Sequence, residues 1–234
     1  MRKIMWGISI LMLVVTAVAL QFLPESVPMH YNMAGEIDRW GSKYECLIFP
    51  GIVLITSLLW DLLSRYYEKK AKKTADEKES AGARTNAKTI VIVGVANAVA
   101  QTILQGFILY SSYTIATMKP EVQTIELPKV ALILMGCVFI ILGNYMTKTR
   151  INHIVGIRIK WSMYNDTTWR KSNLFGAIAL ILVGVLTIFL SMFLSTYAVT
   201  ITFSVSMILA VTLIVIYSHK IYLEETRVVG KDDK

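Results

Sequence analysis

The chain has 234 residues, of which 55 % are hydrophobic and 17 % are charged, and it carries a formal net charge of +8. Soluble domains average about 45–50 % apolar and about 25 % charged residues, so this composition excludes an ordinary soluble globular protein. The two cysteines, Cys46 and Cys137, are too few for a disulfide framework, and we expect two free thiols.

Apolar segments long enough to cross a bilayer follow one another along the chain. A bilayer core of about 30 Å is spanned by about 20 apolar residues in an α-helix. Four segments suit this length, and they cover residues 4–22, 46–63, 89–113 and 130–146. Residues 174–217 form an apolar stretch with one polar break, at Ser195 and Thr196, and as a helix they would extend about 66 Å, enough for two crossings. The sequence therefore predicts an all-α fold, a polytopic transmembrane helical bundle of about six spans.

The distribution of basic residues predicts that both ends of the chain face the cytoplasm. With the N-terminus inside, 20 of the 24 Lys and Arg residues fall in internal segments, and an excess of basic residues marks the cytoplasmic side. The first apolar segment is longer than the roughly 7–15 residues of a signal-peptide core, so we expect a retained anchor. We interpret the positive charge as a surface lying against anionic lipid rather than as a nucleic-acid-binding surface.

The loops divide the chain into three parts. Residues 1–66 form a two-span unit with an outer loop at residues 23–45, and residues 67–88 form a charged cytoplasmic loop with the composition of a helical extension. Residues 89–234 form a four-span unit, with a second outer loop at residues 114–129 and an inner loop at residues 143–173.

Ionisable residues are absent at mid-depth in the predicted spans, and Asp61 lies within a turn of an inner end. Ion-coupled transporters usually place such groups inside the membrane, so that class is disfavoured. The sequence also lacks a phosphate-binding glycine loop, a paired-histidine metal motif and a nucleophile elbow. We therefore predict a protein that is not an enzyme and that holds no cofactor or metal.

A polar stripe runs along the third predicted span. Asn97, Gln101 and Gln105 recur every four residues and so share one helix face, and Gly94 and Ala98 form a small-xxx-small pair. Uncharged amides and small residues commonly join neighbouring helices, which is the interpretation we favour. The alternative is a path for the cargo of a small transporter or lipid-handling protein.

The outer loop carries prolines and glycines that predict a shaped turn rather than a helix. His30, Asp38 and Lys43 form a titratable cluster beside Trp40 and Tyr31, aromatic residues suited to the headgroup level. We expect His30 and Asp38 to be hydrogen-bond partners in a cap over the bundle, since a single histidine is weak support for a metal site. A membrane enzyme using these two residues is a weaker alternative.

The inner loop alternates apolar and basic residues from Ile157 to Trp161. This period of two predicts an extended strip with Arg158 and Lys160 against lipid phosphates. The following residues predict a helix start with Asp166 as its N-cap. Simple anchoring at the membrane surface and docking of a cytoplasmic protein both remain open.

These two loops resemble known signatures. The outer loop resembles the small membrane domain of unknown function that begins SdpI-like proteins, through His30, Asn32, Gly35, Asp38, Trp40 and Lys43. The later segment resembles the SdpI family itself, through Gly143, Asn144, Asn152, Gly156, Arg158, Trp161, Trp169 and Asn173.

The resemblance implies a bacterial plasma-membrane immunity protein that gives resistance to a secreted antimicrobial peptide toxin. It also implies a receptor that holds a small winged-helix repressor at the membrane. In this interpretation the outer-loop residues face the toxin and the inner-loop residues dock the repressor, without direct contact to nucleic acid. The sequence names neither the toxin nor the repressor, and it does not give the oligomeric state.

Overall fold

The computed structural model describes residues 1–32, 34–117 and 126–232. Its long helices are α1 Arg2–Ala19, α2 Ile48–Lys73, α3 Glu77–Thr117, α4 Leu127–Met146, α5 Asp166–Ser191 and α6 Thr196–Asp232. Within the described residues, these six are long and apolar enough to cross a membrane, which confirms the predicted six-span bundle. The predicted break at Ser195 and Thr196 falls at the turn between α5 and α6. Residues 118–125 of the second outer loop, predicted at residues 114–129, lie outside the described residues, while α3 extends to Thr117 and α4 begins at Leu127.

The charged segment at residues 67–88 folds as helix on both sides of a short break. α2 continues to Lys73, and α3 begins at Glu77, so the predicted helical extension is confirmed. The Asp76 carboxylate accepts a hydrogen bond from the Glu79 N–H at 2.8 Å, which caps the start of α3. The break therefore turns the chain back and pairs α2 with α3.

The bundle buries polar side chains together with apolar ones and leaves many large apolar side chains exposed. The buried face of α1 consists of Met5, Ser9, Met12 and Thr16. The Ser9 hydroxyl lies 2.8 Å from the Ser57 hydroxyl, which joins α1 to α2. Lipid tails are as apolar as leucine, so helices in a membrane associate through close packing and hydrogen bonds rather than by excluding water.

Glycines set the spacing between α4 and α5. A Cβ atom at Gly136 would lie 2.8 Å from the carbonyl oxygen of Gly184, and one at Gly143 would lie 2.8 Å from that of Ala177. Gly136 and Gly143 are seven residues apart on α4, and Ala177 and Gly184 are seven residues apart on α5. Positions seven residues apart lie on the same face of a helix, so the two close contacts lie one above the other. These positions require glycine because the two backbones touch there.

The outer loop forms a two-stranded antiparallel sheet, with β1 Ser26–Tyr31 and β2 Ile37–Ser42. This hairpin adds a small sheet to the fold predicted as all-α. Its tip lies at the start of α6, where a Cβ atom on Gly35 would be 3.7 Å from Thr196. Further along α6, the ring of His219 lies 4.4 Å from the ring of Trp161 in the inner loop, at an angle of 39°.

The outer-loop hairpin and the inner loop are separated by most of the length of α6. His219 lies 23 residues after Thr196 on α6, which corresponds to about 35 Å of helix, so the hairpin and the inner loop lie at opposite ends of the bundle. Which end faces the cytoplasm, and the division of the chain into three parts, stay predictions.

Candidate functional site

Asn32 organises the tip of the hairpin. Its side-chain oxygen accepts hydrogen bonds from the N–H groups of Ala34 and Glu36 at 2.9 and 3.0 Å. Its amide nitrogen donates to the Glu36 carboxylate at 2.9 Å. Gly35 has φ +89°, a left-handed conformation that favours glycine. The two motif residues Asn32 and Gly35 therefore shape the turn.

Glu45 closes the base of the hairpin. Its carboxylate accepts from the Ser42 N–H and from the Arg39 guanidinium, both at 3.0 Å. A Cβ atom on Gly41 would collide with the Glu45 carboxylate and with Met29. The position of the Glu45 carboxylate therefore requires a glycine at residue 41. Glu45 was not predicted from the sequence, although Ser42 followed by Glu45 has the spacing of a capping box.

His30 and Asp38 face each other across the strands, with His30 Nδ1 2.6 Å from Asp38 Oδ1. The predicted pairing is thus present, and 65 % of the His30 side chain is exposed. Lys43 does not join this pair, because its ammonium group contacts Glu25 at 2.8 Å. Trp40 is half-exposed on the same hairpin. The described residues contain no group of three or more His, Cys, Asp or Glu side chains that could hold a metal ion.

A cavity of about 550 Å³ lies beneath the hairpin. Its walls come from the ends of α2, α3 and α4 that lie nearest the hairpin, and residues 28–31 of β1 also line it. Most of the lining is apolar, with Gln105 of α3 among the lining residues and His30 and Arg39 contributed by the hairpin. The cavity therefore joins the hairpin to the membrane-spanning helices.

The amides of the polar stripe are engaged within the bundle. The Gln105 amide nitrogen donates to the Thr16 hydroxyl at 3.2 Å and to the Cys46 carbonyl oxygen at 3.1 Å, which joins three helical segments. Further along α3, the Asn97 amide nitrogen donates to the Gln101 side-chain oxygen at 3.4 Å, a bond within the same helix. The contacts of Gln105 fit the interpretation of amides that join helices.

Asn152 folds the inner loop around its own side chain. Its oxygen accepts from the N–H groups of Ile154 and Val155 at 2.8 Å, and its amide nitrogen donates to the carbonyl oxygens of Arg150 and Val155. Asn86 of α3, which the sequence analysis missed, accepts from the Arg150 N–H at 3.1 Å. Asn86 lies 64 residues before Arg150, and nothing in the local pattern predicts that contact.

Gly156, Trp169 and Asn173 fasten the loop to α5. Asn173 accepts from the Ile157 N–H at 2.8 Å, and the Trp169 indole N–H donates to the Thr149 carbonyl oxygen at 3.0 Å. Gly156 has φ +123°, and a Cβ atom there would collide with Asn173 and lie 3.0 Å from the Trp169 ring. Trp169 and Asn173 are almost fully buried. These motif residues therefore hold the loop in shape.

The predicted extended strip from Ile157 to Trp161 is wrong. These residues bend into a turn, because the Ser162 hydroxyl donates to the carbonyl oxygen of Ile157 and accepts from the Ile159 N–H. Arg158 is exposed and donates to the His153 carbonyl oxygen at 2.5 Å.

The inner loop ends at the N-terminus of α5. The N-cap there is Asn165, not the predicted Asp166, because Asn165 and Thr168 bond each other reciprocally as a capping box. Asn144 lies apart from the buried motif residues and is exposed near the end of α4.

Two family models match the chain. A domain of unknown function, DUF1648, matches residues 7–54, and the SdpI/YfhL protein family matches residues 148–218. The chain is 25 % identical to "Immunity protein SdpI" of Bacillus subtilis (strain 168) over 205 residues, which is 86 % of each chain. It is 44 % identical over 52 residues to an uncharacterized protein of Archaeoglobus fulgidus, covering 19 % of this chain and 28 % of that protein. No solved structure matches the chain.

The matched regions contain the two loops on which the resemblance rested. The first match includes the hairpin, and the second includes the inner loop with α5. The relative named as an immunity protein aligns over most of the chain. The protein is therefore a multi-pass bacterial membrane protein whose residues 148–218 match the SdpI/YfhL protein family and which is similar over most of its length to an immunity protein.

Proposed function

We propose that this protein is an immunity protein of the plasma membrane that protects its cell from a secreted antimicrobial peptide. The observation that carries the proposal is the 25 % identity to "Immunity protein SdpI" across 86 % of both chains. Both family models, in order along the chain, add support. Protection of this kind is a binding function and needs no catalytic group.

The hairpin is the surface that we assign to the peptide. Asn32 and Glu45 support its backbone from within, so the exposed side chains of His30 and Trp40 are available to a ligand. With the N-terminus inside, as the basic residues predict, this end of the bundle faces the exterior.

A killing assay in a toxin-sensitive host tests this assignment. Combined His30→Ala, Asp38→Ala and Lys43→Ala substitutions should abolish protection without lowering membrane abundance. His30 and Asp38 lie exposed on the hairpin, and Lys43, directly after β2, pairs with the exposed Glu25 rather than with a residue of the bundle core. The matched control is Lys72→Ala with Lys73→Ala, two exposed residues at the opposite end. Unchanged protection in the hairpin variant would reject the role of the outer loop.

The inner loop is the surface that we assign to a cytoplasmic partner, a small winged-helix repressor. The buried residues Asn152, Trp169 and Asn173 hold the loop, and Arg158 and Lys160 stay exposed. This basic surface would also contact anionic lipid. An Arg158→Glu variant should release a membrane-bound repressor into the cytosol, whereas Lys88→Glu on α3 should not. Equal release by both variants, or by neither, would contradict the assignment.

Two other functions have less support. A transporter would use the polar stripe as a path, but the Gln105 amide nitrogen is already bonded within the bundle. An enzyme would rely on the exposed His30–Asp38 pair alone. A neighbouring gene for a winged-helix repressor, with one for a secreted peptide precursor, would favour immunity over both.

A further inference from the structure

A groove of about 510 Å³ lies between the inner loop and α6, and we call it the α6 groove. The inner loop contributes residues 153, 156–159 and 163 to its lining, and α6 contributes Val211, Ile214 and Val215. The volume lies within the range of about 300–1,000 Å³ that ligand pockets show. The groove therefore has room for part of a small amphipathic molecule.

The floor of the α6 groove lies at the depth of the hydrocarbon core. α6 begins at Thr196, so Val211 and Val215 stand about 23 and 29 Å along the helix from that end. The core is about 30 Å thick, which places both valines in the leaflet on the side of the inner loop. Val211 is 52 % exposed, so the floor is open to its surroundings. An occupant of the groove therefore contacts hydrocarbon, which a soluble cytoplasmic protein does not do.

The rim of the α6 groove carries a positive charge. Arg158 and His153 line the groove from the inner loop. The exposed Arg158 guanidinium gives one N–H to the His153 carbonyl oxygen, which leaves its other N–H groups for an anion. Among the described residues that line the groove, none is acidic. The rim therefore favours a negatively charged group, and the planar fork of a guanidinium matches the oxygens of a phosphate.

We propose that the α6 groove binds one anionic phospholipid, with an acyl chain along Val211 and Val215 and the phosphate at Arg158. The apolar floor and the cationic rim together decide the class of ligand. A free phosphate has no apolar part to place on the floor, and a zwitterionic lipid brings its own cation close to the guanidinium.

This site is more specific than the general attraction of a basic surface to anionic lipid. Lys160 has the same charge as Arg158 and lies two residues further along the same loop, but it does not line the groove. The two residues should therefore differ in their effect on lipid binding. Arg158 also belongs to the surface assigned to the repressor, so the binding measurement uses the full chain without a repressor.

Native mass spectrometry of the full chain in detergent counts the bound lipids and gives their apparent affinity. Phosphatidylglycerol is the probe, and phosphatidylcholine with the same acyl chains is its matched control. One phosphatidylglycerol should bind about fivefold more tightly than phosphatidylcholine, since one basic residue beside an anionic headgroup contributes about that factor. Glycerophosphoglycerol, which is the same headgroup without acyl chains, should not displace the bound lipid.

Two variants with matched controls locate the site. Arg158→Gln should weaken phosphatidylglycerol binding about fivefold, whereas Lys160→Gln should leave it unchanged. Val211→Trp fills the floor of the groove and should weaken binding at least as much. Its control is Val205→Trp, which changes a residue that is 59 % exposed on the same helix and lies outside the lining. Two independent variants keep the test valid if one of them fails to fold.

Five outcomes would each overturn the assignment. They are equal binding of the two lipids, displacement by glycerophosphoglycerol, equal effects of Arg158→Gln and Lys160→Gln, unchanged binding in both groove variants, and a lipid-free dimer that Val211→Trp dissociates and Val205→Trp does not. The last outcome would give the groove to a second copy of the chain. Protection in the killing assay is scored separately, so failure of the lipid site leaves immunity standing, and failure of immunity leaves the lipid site standing.

Discussion

Replacement of Gly156 by alanine should detach the inner loop from α5. The left-handed backbone at φ +123° costs an L-residue about 1–2 kcal/mol. The new methyl group would also collide with the Asn173 side-chain oxygen, which accepts from the Ile157 N–H at 2.8 Å. Leaving such a buried group without its partner costs about 1–3 kcal/mol. Together these effects predict a loss of about 2–5 kcal/mol.

Thermal unfolding in detergent measures this loss. For a chain of this size, the melting temperature should fall by roughly 5–15 °C. Gly106→Ala is the matched control, because a Cβ atom at this position of α3 meets nothing within 4 Å. Proteolysis should also cut the inner loop of the Gly156 variant faster than that of the control. A melting temperature equal to that of the control, with no faster cleavage, would refute the assigned role of Gly156.

Three further predictions concern the outer end and the helix packing. Gly41→Ala should displace the Glu45 carboxylate and expose the hairpin to proteases, while cleavage of the inner loop stays unchanged. A hydrogen bond from Thr196 holds the pKa of the Glu126 carboxyl below its ordinary value of 4.5. This contact therefore stabilises the fold fully above pH 4.5, and the stabilisation is lost as the pH falls through the lowered pKa. Thr196→Val should flatten this acid dependence of the melting temperature, and an unaltered profile would count against the contact. Gly136→Val should lower the melting temperature by separating α4 from α5, and an unchanged value would contradict the close approach.

The helices could be predicted because the bilayer dictates them. Every backbone polar group in lipid must be bonded internally, so an apolar segment of about 20 residues has to be a helix. The same reasoning placed the last turn at Ser195 and Thr196, the one polar break in residues 174–217. The pairing of His30 with Asp38 was also within reach, since both lie in one short loop.

The loop structures could not be predicted in the same way. The hairpin depends on Asn32 and Glu45 bonding to backbone groups, which leaves little trace in an apolar pattern. In the inner loop, the alternation from Ile157 to Trp161 suggested a strand, but the Ser162 hydroxyl bends the chain instead. Contacts from distant residues such as Asn86 are set by the tertiary fold.

The exposed motif residues were the least predictable part of the candidate site. Motif membership did not separate the buried residues that support the loop, such as Trp169, from those that stay exposed, such as Arg158. Both kinds of residue stand in one signature, and only burial tells them apart.

In the proposed function, the protein binds a peptide outside the cell and a partner protein inside it. Cysteine labelling in intact cells tests this most directly, with His30→Cys and Arg158→Cys made separately in a chain whose Cys46 and Cys137 are replaced. A membrane-impermeant maleimide should label position 30 in intact cells and position 158 only after the membrane is opened. Labelling of both positions from the same side would contradict the account.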